Sequence, residues 1–137
     1  MLLARIVLIV QAVFLAVAGL AYFIWPQEMA NLSGMLLMEP AAITDVRAYY
    51  GALQIALALY LVLALLRGDL LRPALTLLVL LYSALALGRI AGLYLDGGLQ
   101  QTFNLYALLF EVVSAGVAFA VLRTLGRIDQ AVRREGL

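Results

Sequence analysis

The chain has 137 residues, of which 66% are hydrophobic and 12% charged, and its formal net charge is +1. A soluble domain has about 45–50% apolar and about 25% charged residues, so this composition indicates one domain, residues 1–137, embedded in a lipid bilayer. The small net charge argues against a nucleic-acid partner, which needs a basic face. The chain has no Cys and no His, which excludes disulfides, thiol nucleophiles and imidazole metal sites, so we expect no cofactor and no metal.

The first predicted element is a membrane-spanning helix over about residues 4–25. Residues 6–25 contain no charge and a single amide, Gln11, and about 20 such residues cross the hydrocarbon core of a bilayer. A signal peptide is the alternative, with Arg5 before the apolar run and a small-residue cleavage site at 16–18. Because the apolar run continues past that site to Trp25, we predict a retained helix.

A connector follows over residues 26–43, where prolines, acids and amides interrupt the apolar pattern. Its remaining Leu and Met residues are compatible with a short interfacial helix, and the alternative is a loop lying on the helices.

Three further spans are predicted over about residues 44–66, 72–95 and 102–125. Thr44 is a favourable N-cap for the second helix, and Asp45 then lies in the first turn, where an acid stabilises the helix dipole. The two later loops are short, which makes consecutive helices antiparallel neighbours. The predicted fold class is therefore all-α, an integral membrane four-helix bundle, with a polar solvated tail after the last span.

The charged residues outside the spans are distributed unequally between the two ends of the predicted bundle. One end carries Arg5, Arg67, Arg72, Arg123, Arg127, Arg133 and Arg134. The loops of the opposite end carry only acids, namely Glu28, Glu39, Asp45 and Asp96. By the positive-inside rule, both termini are predicted to be cytoplasmic.

Three ionisable residues lie inside the predicted spans, namely Arg47, Arg89 and Glu111. At 1.5 Å per residue, Arg89 lies about 9–10 Å and Glu111 about 12–14 Å from the outer ends of their helices. An arginine side chain covers this difference in depth, so we expect the two residues to pair. Arg47 lies about one turn below the outer end of the second helix, in the same half of the membrane.

Helical phase adds polar residues to these three. Positions three, four or seven apart share a helix face, so Asn104 accompanies Glu111 on the fourth helix. The predicted site residues are Arg47, Tyr50, Gln54, Tyr82, Arg89, Glu111 and Ser114. Small residues also recur at four-residue spacing, which permits close approach between helices, either inside the bundle or between two copies of the chain. These stripes are Ala48, Ala52 and Ala56 on the second helix, and Ala84, Gly88 and Gly92 on the third.

The polar site has three interpretations. A charge at mid-helix costs about 2.5–3.5 kcal/mol, and Glu111 is too short to reach the interface, so it needs a partner, a proton or water. The pair of Arg89 and Glu111 is a structural ion pair between helices, a wall of a ligand pocket, or part of a proton or ion path. Since two arginines face one Glu, the pocket would accept an anionic or carbonyl-bearing amphiphile.

The motif residues resemble a known family. The segment Asp45-Val46-Arg47-Ala48-Tyr49-Tyr50-Gly51, the pair Gly88-Arg89 and the late Glu111 resemble domain-of-unknown-function family 4345. The resemblance extends over nearly the whole chain, and the departures are Asp45 in place of Glu and Ala52 in place of a second Gly. It implies a bacterial four-helix membrane protein similar in architecture to DoxX-like proteins, and it implies no activity.

Three functions are compatible with these residues. The first is a non-enzymatic membrane protein that binds a lipid- or quinone-like amphiphile, or that serves as an accessory subunit of a larger complex or as a homo-oligomer. The second is an intramembrane enzyme in which Glu111 acts as acid or base and Arg89 stabilises charge. The third is a small multidrug-type transporter, which wants a carboxylate in the first helix, where this chain has only Gln11.

Overall fold

The computed structural model describes residues 1–97 and 101–135, except for the side chains of 129, 131–133 and 135. This part of the chain contains helices and turns and no strand. Four of its helical stretches are long and apolar enough to cross a membrane. They are Leu2–Ile24, Pro40–Leu66, Gly68–Leu95 and Thr102–Ile128. The all-α class and the four membrane-length helices are thus confirmed, while the single-domain organisation stays a prediction.

Helix α1 (Leu2–Ile24) is followed at once by a short helix, α2 (Pro26–Leu32). Pro26 occupies the first turn of α2, where its missing N–H costs nothing. The helix is terminated by Gly34, which lies two residues after Leu32 and has a φ of +80°. Its N–H donates to Asn31 O, and the next N–H, of Met35, donates to Ala30 O, the pattern of a Schellman motif. Part of the predicted connector is therefore helical.

The second long stretch is composed of α3 (Pro40–Val46), a π-helical segment (Arg47–Ala52) and α4 (Leu53–Leu66). It begins at Pro40, one turn before the predicted start. Thr44 Oγ1 donates to Pro40 O at 3.1 Å, so Thr44 lies inside the helix. The prediction that Thr44 caps the helix and that Asp45 lies in its first turn was wrong, because a proline starts the helix earlier.

The third and fourth stretches are α5 (Leu71–Leu95), preceded by a 3-10 turn over Gly68–Leu70, and α6 (Thr102–Glu135). Helix α6 continues well beyond the predicted end near 125, so the predicted polar tail is helical as far as Glu135. The side chain of Arg133 lies outside the described residues.

Contacts divide the chain into two units, Met1–Val7 with Arg67–Leu137, and Leu8–Leu66. In the first unit α5 and α6 are antiparallel, because Tyr82 contacts Phe110 while the later Arg89 bonds to the earlier Asn104. In the second unit α1 is antiparallel to the stretch from α3 to α4. Each unit is described by itself below.

Two glycines of the second unit lie at a close helix contact, Gly19 of α1 and Gly51 of the π-helical segment. A Cβ on Gly19 would lie 2.9 Å from Gly51 O, and a Cβ on Gly51 would lie 3.1 Å from the backbone N of Phe23. Only glycine permits this approach. On α5, by contrast, a Cβ on Gly88 would meet no described atom within 4 Å. Within the first unit Gly88 therefore makes no close contact with a described residue, and the role of this stripe stays a prediction.

Candidate functional site

The centre of the candidate site is an ion pair between α5 and α6. Arg89 Nε donates to Glu111 Oε1 at 2.7 Å. The carboxylate is the more deeply buried partner, since the side chain of Glu111 is 5% exposed and that of Arg89 is 28% exposed. The pairing follows from their similar depth on adjacent antiparallel helices, as the sequence predicted.

Two amides extend the ion pair towards the beginning of α6. Arg89 Nη1 donates to Asn104 Oδ1 at 2.5 Å, and Asn104 Nδ2 donates to Gln101 Oε1 at 2.6 Å. Asn104 and Glu111 are seven residues apart and therefore lie on one face of α6. The guanidinium of Arg89 thus lies along this face and bonds to both residues. We call Arg89, Gln101, Asn104 and Glu111 the α5–α6 polar site.

One buried atom of this site has no hydrogen-bond partner among the described residues. Glu111 Oε2 is buried and makes no hydrogen bond to any residue that the structure describes. An unsatisfied buried acceptor costs about 1–3 kcal/mol. Arg89 Nη2 takes part in neither of the guanidinium's two bonds. Beyond its internal bonds the site therefore offers Glu111 Oε2 as an acceptor and Arg89 Nη2 as a donor.

Two further predicted residues are buried in the same unit. Tyr82 of α5 is 3% exposed, and its ring contacts the Phe110 ring edge-on at 5.6 Å. Ser114 lies one turn beyond Glu111 on α6 and is 6% exposed. Both residues also interact with other residues, so neither lacks a partner. Because Phe110 directly precedes Glu111, Tyr82 packs beside the polar site through Phe110.

The other three predicted residues, Arg47, Tyr50 and Gln54, belong to the second unit, and all three contact α1. The Arg47 guanidinium carbon lies 5.8 Å from the Phe23 ring centroid. The Tyr50 ring lies 5.3 Å from that of Tyr22. The half-buried Gln54 lies beside Gly19. The predicted union of these residues with Arg89 and Glu111 in one site stays a prediction.

The π-helical segment is a local feature that the sequence pattern did not predict. The N–H of Leu53 donates to Ala48 O, a bond across five residues that places one more residue in the turn than α-helical bonding does. Segments of this kind occur often at functional sites. This one contains Arg47, Tyr50 and Gly51, three of the residues that carry the family resemblance.

Sequence reasoning missed Gln101 as a member of the polar site and left Asn104 outside the predicted site residues. Asn104 had a signal, because it shares a face with Glu111. Gln101 precedes the first residue of α6, so helical phase says nothing about it. Among the described residues, no three His, Cys, Asp or Glu side chains lie together as metal ligands would.

Comparison with known proteins bears on the same residues. The model of one family, described as Domain of unknown function (DUF4345), matches residues 3–122. The chain belongs to the DUF4345 family. The match covers the π-helical segment and the whole α5–α6 polar site of this DUF4345 protein. No curated protein and no solved structure matched the chain.

Proposed function

We propose that this DUF4345 protein binds the polar head group of a lipid- or quinone-like amphiphile at the α5–α6 polar site. The observation that carries the proposal is the buried oxygen Oε2 of Glu111, which makes no hydrogen bond within the described residues. A head group with a hydroxyl donates to this oxygen and removes the cost of leaving it unsatisfied.

The partly exposed guanidinium of Arg89 indicates which second polar group the head group of the ligand carries. Arg89 is 28% exposed while Glu111 is 5% exposed, so a ligand approaches from the side of Arg89. Its Nη2 is available as a donor to a carbonyl oxygen. A ligand with a carbonyl and a hydroxyl, or with two hydroxyls that both donate and accept, satisfies both atoms at once.

The charge of the site favours a neutral head group. The positive charge of Arg89 is compensated by Glu111 at 2.7 Å, and Asn104 and Gln101 are uncharged. An anion would bring a second negative charge beside a buried carboxylate, which is costly at low dielectric. The α5–α6 polar site by itself therefore fits a quinol or a monoacylglycerol better than an anionic lipid.

The experiment compares the purified wild-type protein with Glu111→Gln, using decylubiquinol and monoolein as separate probes. A ligand that binds only the folded state raises the unfolding free energy by about 2.7 kcal/mol at 100 times its dissociation constant. We expect one probe to raise the unfolding temperature of the wild-type protein and to have a much smaller effect on Glu111→Gln.

Glu28→Gln is the matched control, because Glu28 is exposed on α2 and loses the same charge. It should respond to the probe as the wild-type protein does. Equal responses in all three proteins, or no response to either probe together with no molecule co-purifying in native mass spectrometry, would contradict the proposal.

A second candidate function is intramembrane acid–base catalysis by Glu111. The same free oxygen favours it, because a proton-transfer group needs an atom that the substrate reaches. The ion pair with Arg89 opposes it, since the guanidinium already occupies one of the two carboxylate oxygens. Turnover of the bound amphiphile by wild-type protein, lost in Glu111→Gln with binding retained, would decide for this alternative. An accessory-subunit role and a small multidrug-type transporter rest on the sequence pattern alone.

The proposed setting is a bacterial inner membrane, in a DoxX-like arrangement with both termini in the cytoplasm. Four helices of sufficient length support the membrane location. The orientation is supported by the arginines near the predicted inner ends of these helices, of which Arg5, Arg67, Arg72, Arg123, Arg127 and Arg134 are exposed.

A further inference from the structure

We propose a second binding site, distinct from the α5–α6 polar site, in which Arg47 binds the phosphate of an anionic glycerophospholipid. Arg47 is exposed, and it forms no ion pair with any residue that the structure describes. Its cation–π contact with Phe23 holds the guanidinium against α1 but leaves its N–H donors available. An arginine with free donors is suited to bidentate binding of phosphate.

The length of the helix places Arg47 at the depth of lipid head groups. The stretch Pro40–Leu66 has 27 residues, about 40 Å at 1.5 Å per residue, whereas the hydrocarbon core is about 30 Å thick. Arg67 follows Leu66 and marks the other end. When Leu66 is placed at one surface of the hydrocarbon core, about 10 Å of the stretch projects beyond the opposite surface. Arg47 lies about 10 Å from Pro40 along the helix, and therefore at that opposite surface.

Exposed aromatic residues around Arg47 indicate the same depth. Trp25, at the end of α1, is 56% exposed, and Tyr49 and Tyr50 are 67% and 40% exposed. Tyr and Trp are enriched where head groups meet the hydrocarbon core, because their rings are apolar and their polar tips form hydrogen bonds. The Tyr50 ring is fixed against Tyr22, on the same helix pair that carries Arg47 and Phe23.

The acids of this end determine where an anion can approach. Asp45 lies two residues before Arg47, a rotation of about 200° around the helix, so it lies nearly opposite. Glu39, the N-cap residue of α3, and Glu28 of α2 are exposed, and neither forms an ion pair with Arg47. A phosphate therefore approaches on the α1 side of the helix, over Phe23.

An apolar groove in the same unit matches the remainder of a phospholipid. Its walls are α1 and α4, and its lining residues are Ala12, Val13, Ala16, Ile55, Ala58, Leu59 and Val62. The groove begins at Ile55, about 12 Å from Arg47 along the helix, so an acyl chain whose phosphate is bound at Arg47 reaches it. A lipid therefore fits this unit better than free phosphate does.

The test uses Trp25, which is the single tryptophan of the chain. The protein is reconstituted in phosphatidylcholine vesicles that contain a fraction of phosphatidylglycerol, with bromine atoms on the acyl chains of one lipid or the other. Bromine quenches nearby tryptophan, so the two quenching values report which lipid lies beside Trp25. We expect the wild-type protein to prefer phosphatidylglycerol by roughly fivefold, the effect of one arginine at a membrane surface.

Arg47→Gln should abolish this preference. The matched control is Arg123→Gln, because Arg123 is also exposed and also lies over a ring, that of Phe119, at 5.4 Å. The control should keep the wild-type preference. Equal quenching by both lipids in the wild-type protein, or an unchanged preference in Arg47→Gln, would overturn the proposal.

Two further measurements complete the test. One uses a conservative variant of Arg47, and the other distinguishes a lipid phosphate from free phosphate. Arg47→Lys keeps the charge but lacks the planar fork of donors, so it should retain only part of the preference, and full retention would contradict bidentate binding. Inorganic phosphate should not relieve the quenching by phosphatidylglycerol, and relief would assign the site to free phosphate. Neither outcome bears on the probe experiment with Glu111→Gln.

Discussion

Arg89 Nε and Glu111 Oε1 lie 2.7 Å apart, and the two residues differ more than fivefold in exposure, 28% against 5%. The pair is therefore neither a surface ion pair nor a fully buried one. The guanidinium has access to the surroundings, while the carboxylate depends on the protein or a ligand for its hydrogen bonds. This asymmetry determines what each substitution in the site does.

Glu111→Gln should lower stability, but by less than the loss of a fully buried pair. The amide keeps an acceptor for Arg89 and removes the charge, and the partly exposed guanidinium regains some solvation. We expect a loss of about 1–2 kcal/mol in thermal unfolding in detergent. Glu28→Gln should be neutral. A stability equal to that of the wild-type protein would mean that the pair has no structural role.

Arg89→Gln should be more destabilising than Glu111→Gln, because it leaves the buried carboxylate as an unpaired charge. Truncating one partner of a fully buried charge pair costs about 3–5 kcal/mol, and this range is the upper bound here because Arg89 is partly exposed. The control is Arg67→Gln, which removes a guanidinium from an ion pair whose side chains are 60% and 62% exposed and should cost about 0–1 kcal/mol. The two mutants of the α5–α6 pair are compared in one unfolding series, and the reverse order would contradict the assignment of Glu111 as the buried partner.

Asn104→Ala should destabilise the protein, because Asn104 both accepts from Arg89 and donates to Gln101. Losing the two bonds should cost about 1–3 kcal/mol. Gln101→Ala removes only the outer bond, so its effect on the unfolding temperature should be smaller. If both variants lowered the unfolding temperature equally, the hydrogen bond from Arg89 to Asn104 would contribute nothing to stability.

Gly51→Ala should destabilise the second unit, since the added Cβ would lie 3.0 Å from Phe23 Cβ and 3.1 Å from its backbone. Overpacking of this kind costs about 1–3 kcal/mol. Gly88→Ala is the matched control on α5, where the Cβ meets no described atom within 4 Å. Alanine in that helix should be neutral or stabilising by up to about 1 kcal/mol. Thermal unfolding of both mutants checks the contrast, and a loss at Gly88 would point to a partner covering that face.

The orientation can be tested directly, because the chain has no native cysteine. A cysteine at Met38, which is 82% exposed between α2 and α3, should react with an impermeant maleimide applied to spheroplasts. A cysteine at the exposed Gln130 near the end of α6 should react only after the membrane is opened. The reverse pattern would place both termini outside.

Part of the polar site was predictable because helix geometry is regular. Residue number gives depth at a constant rise, and short loops make neighbouring helices antiparallel, so Arg89 and Glu111 had to come close. Asn104 followed from the same periodicity. Gln101 did not, because it lies before the helix and its position depends on the loop.

Other features depend on contacts between distant residues. The π-helical segment breaks the α-helical periodicity on which sequence patterns rest, and it occurs where Gly51 lies against the backbone of Phe23. Sequence spacing alone does not say which of the small-residue stripes lies against another helix. Thr44 was a plausible cap, but the choice between Pro40 and Thr44 as the start depends on where the preceding chain runs.

The amino-acid sequence by itself predicted four helices of membrane-spanning length and the pairing of Arg89 with Glu111, because hydrophobicity, helix rise and charge are properties of the local chain. The tertiary structure decided the rest. It left Glu111 Oε2 buried and without a partner among the described residues, and it held Arg47 over Phe23 without an ion pair to any described residue. Whether a polar atom is satisfied depends on which side chains surround it, and those come from helices that are distant in the sequence.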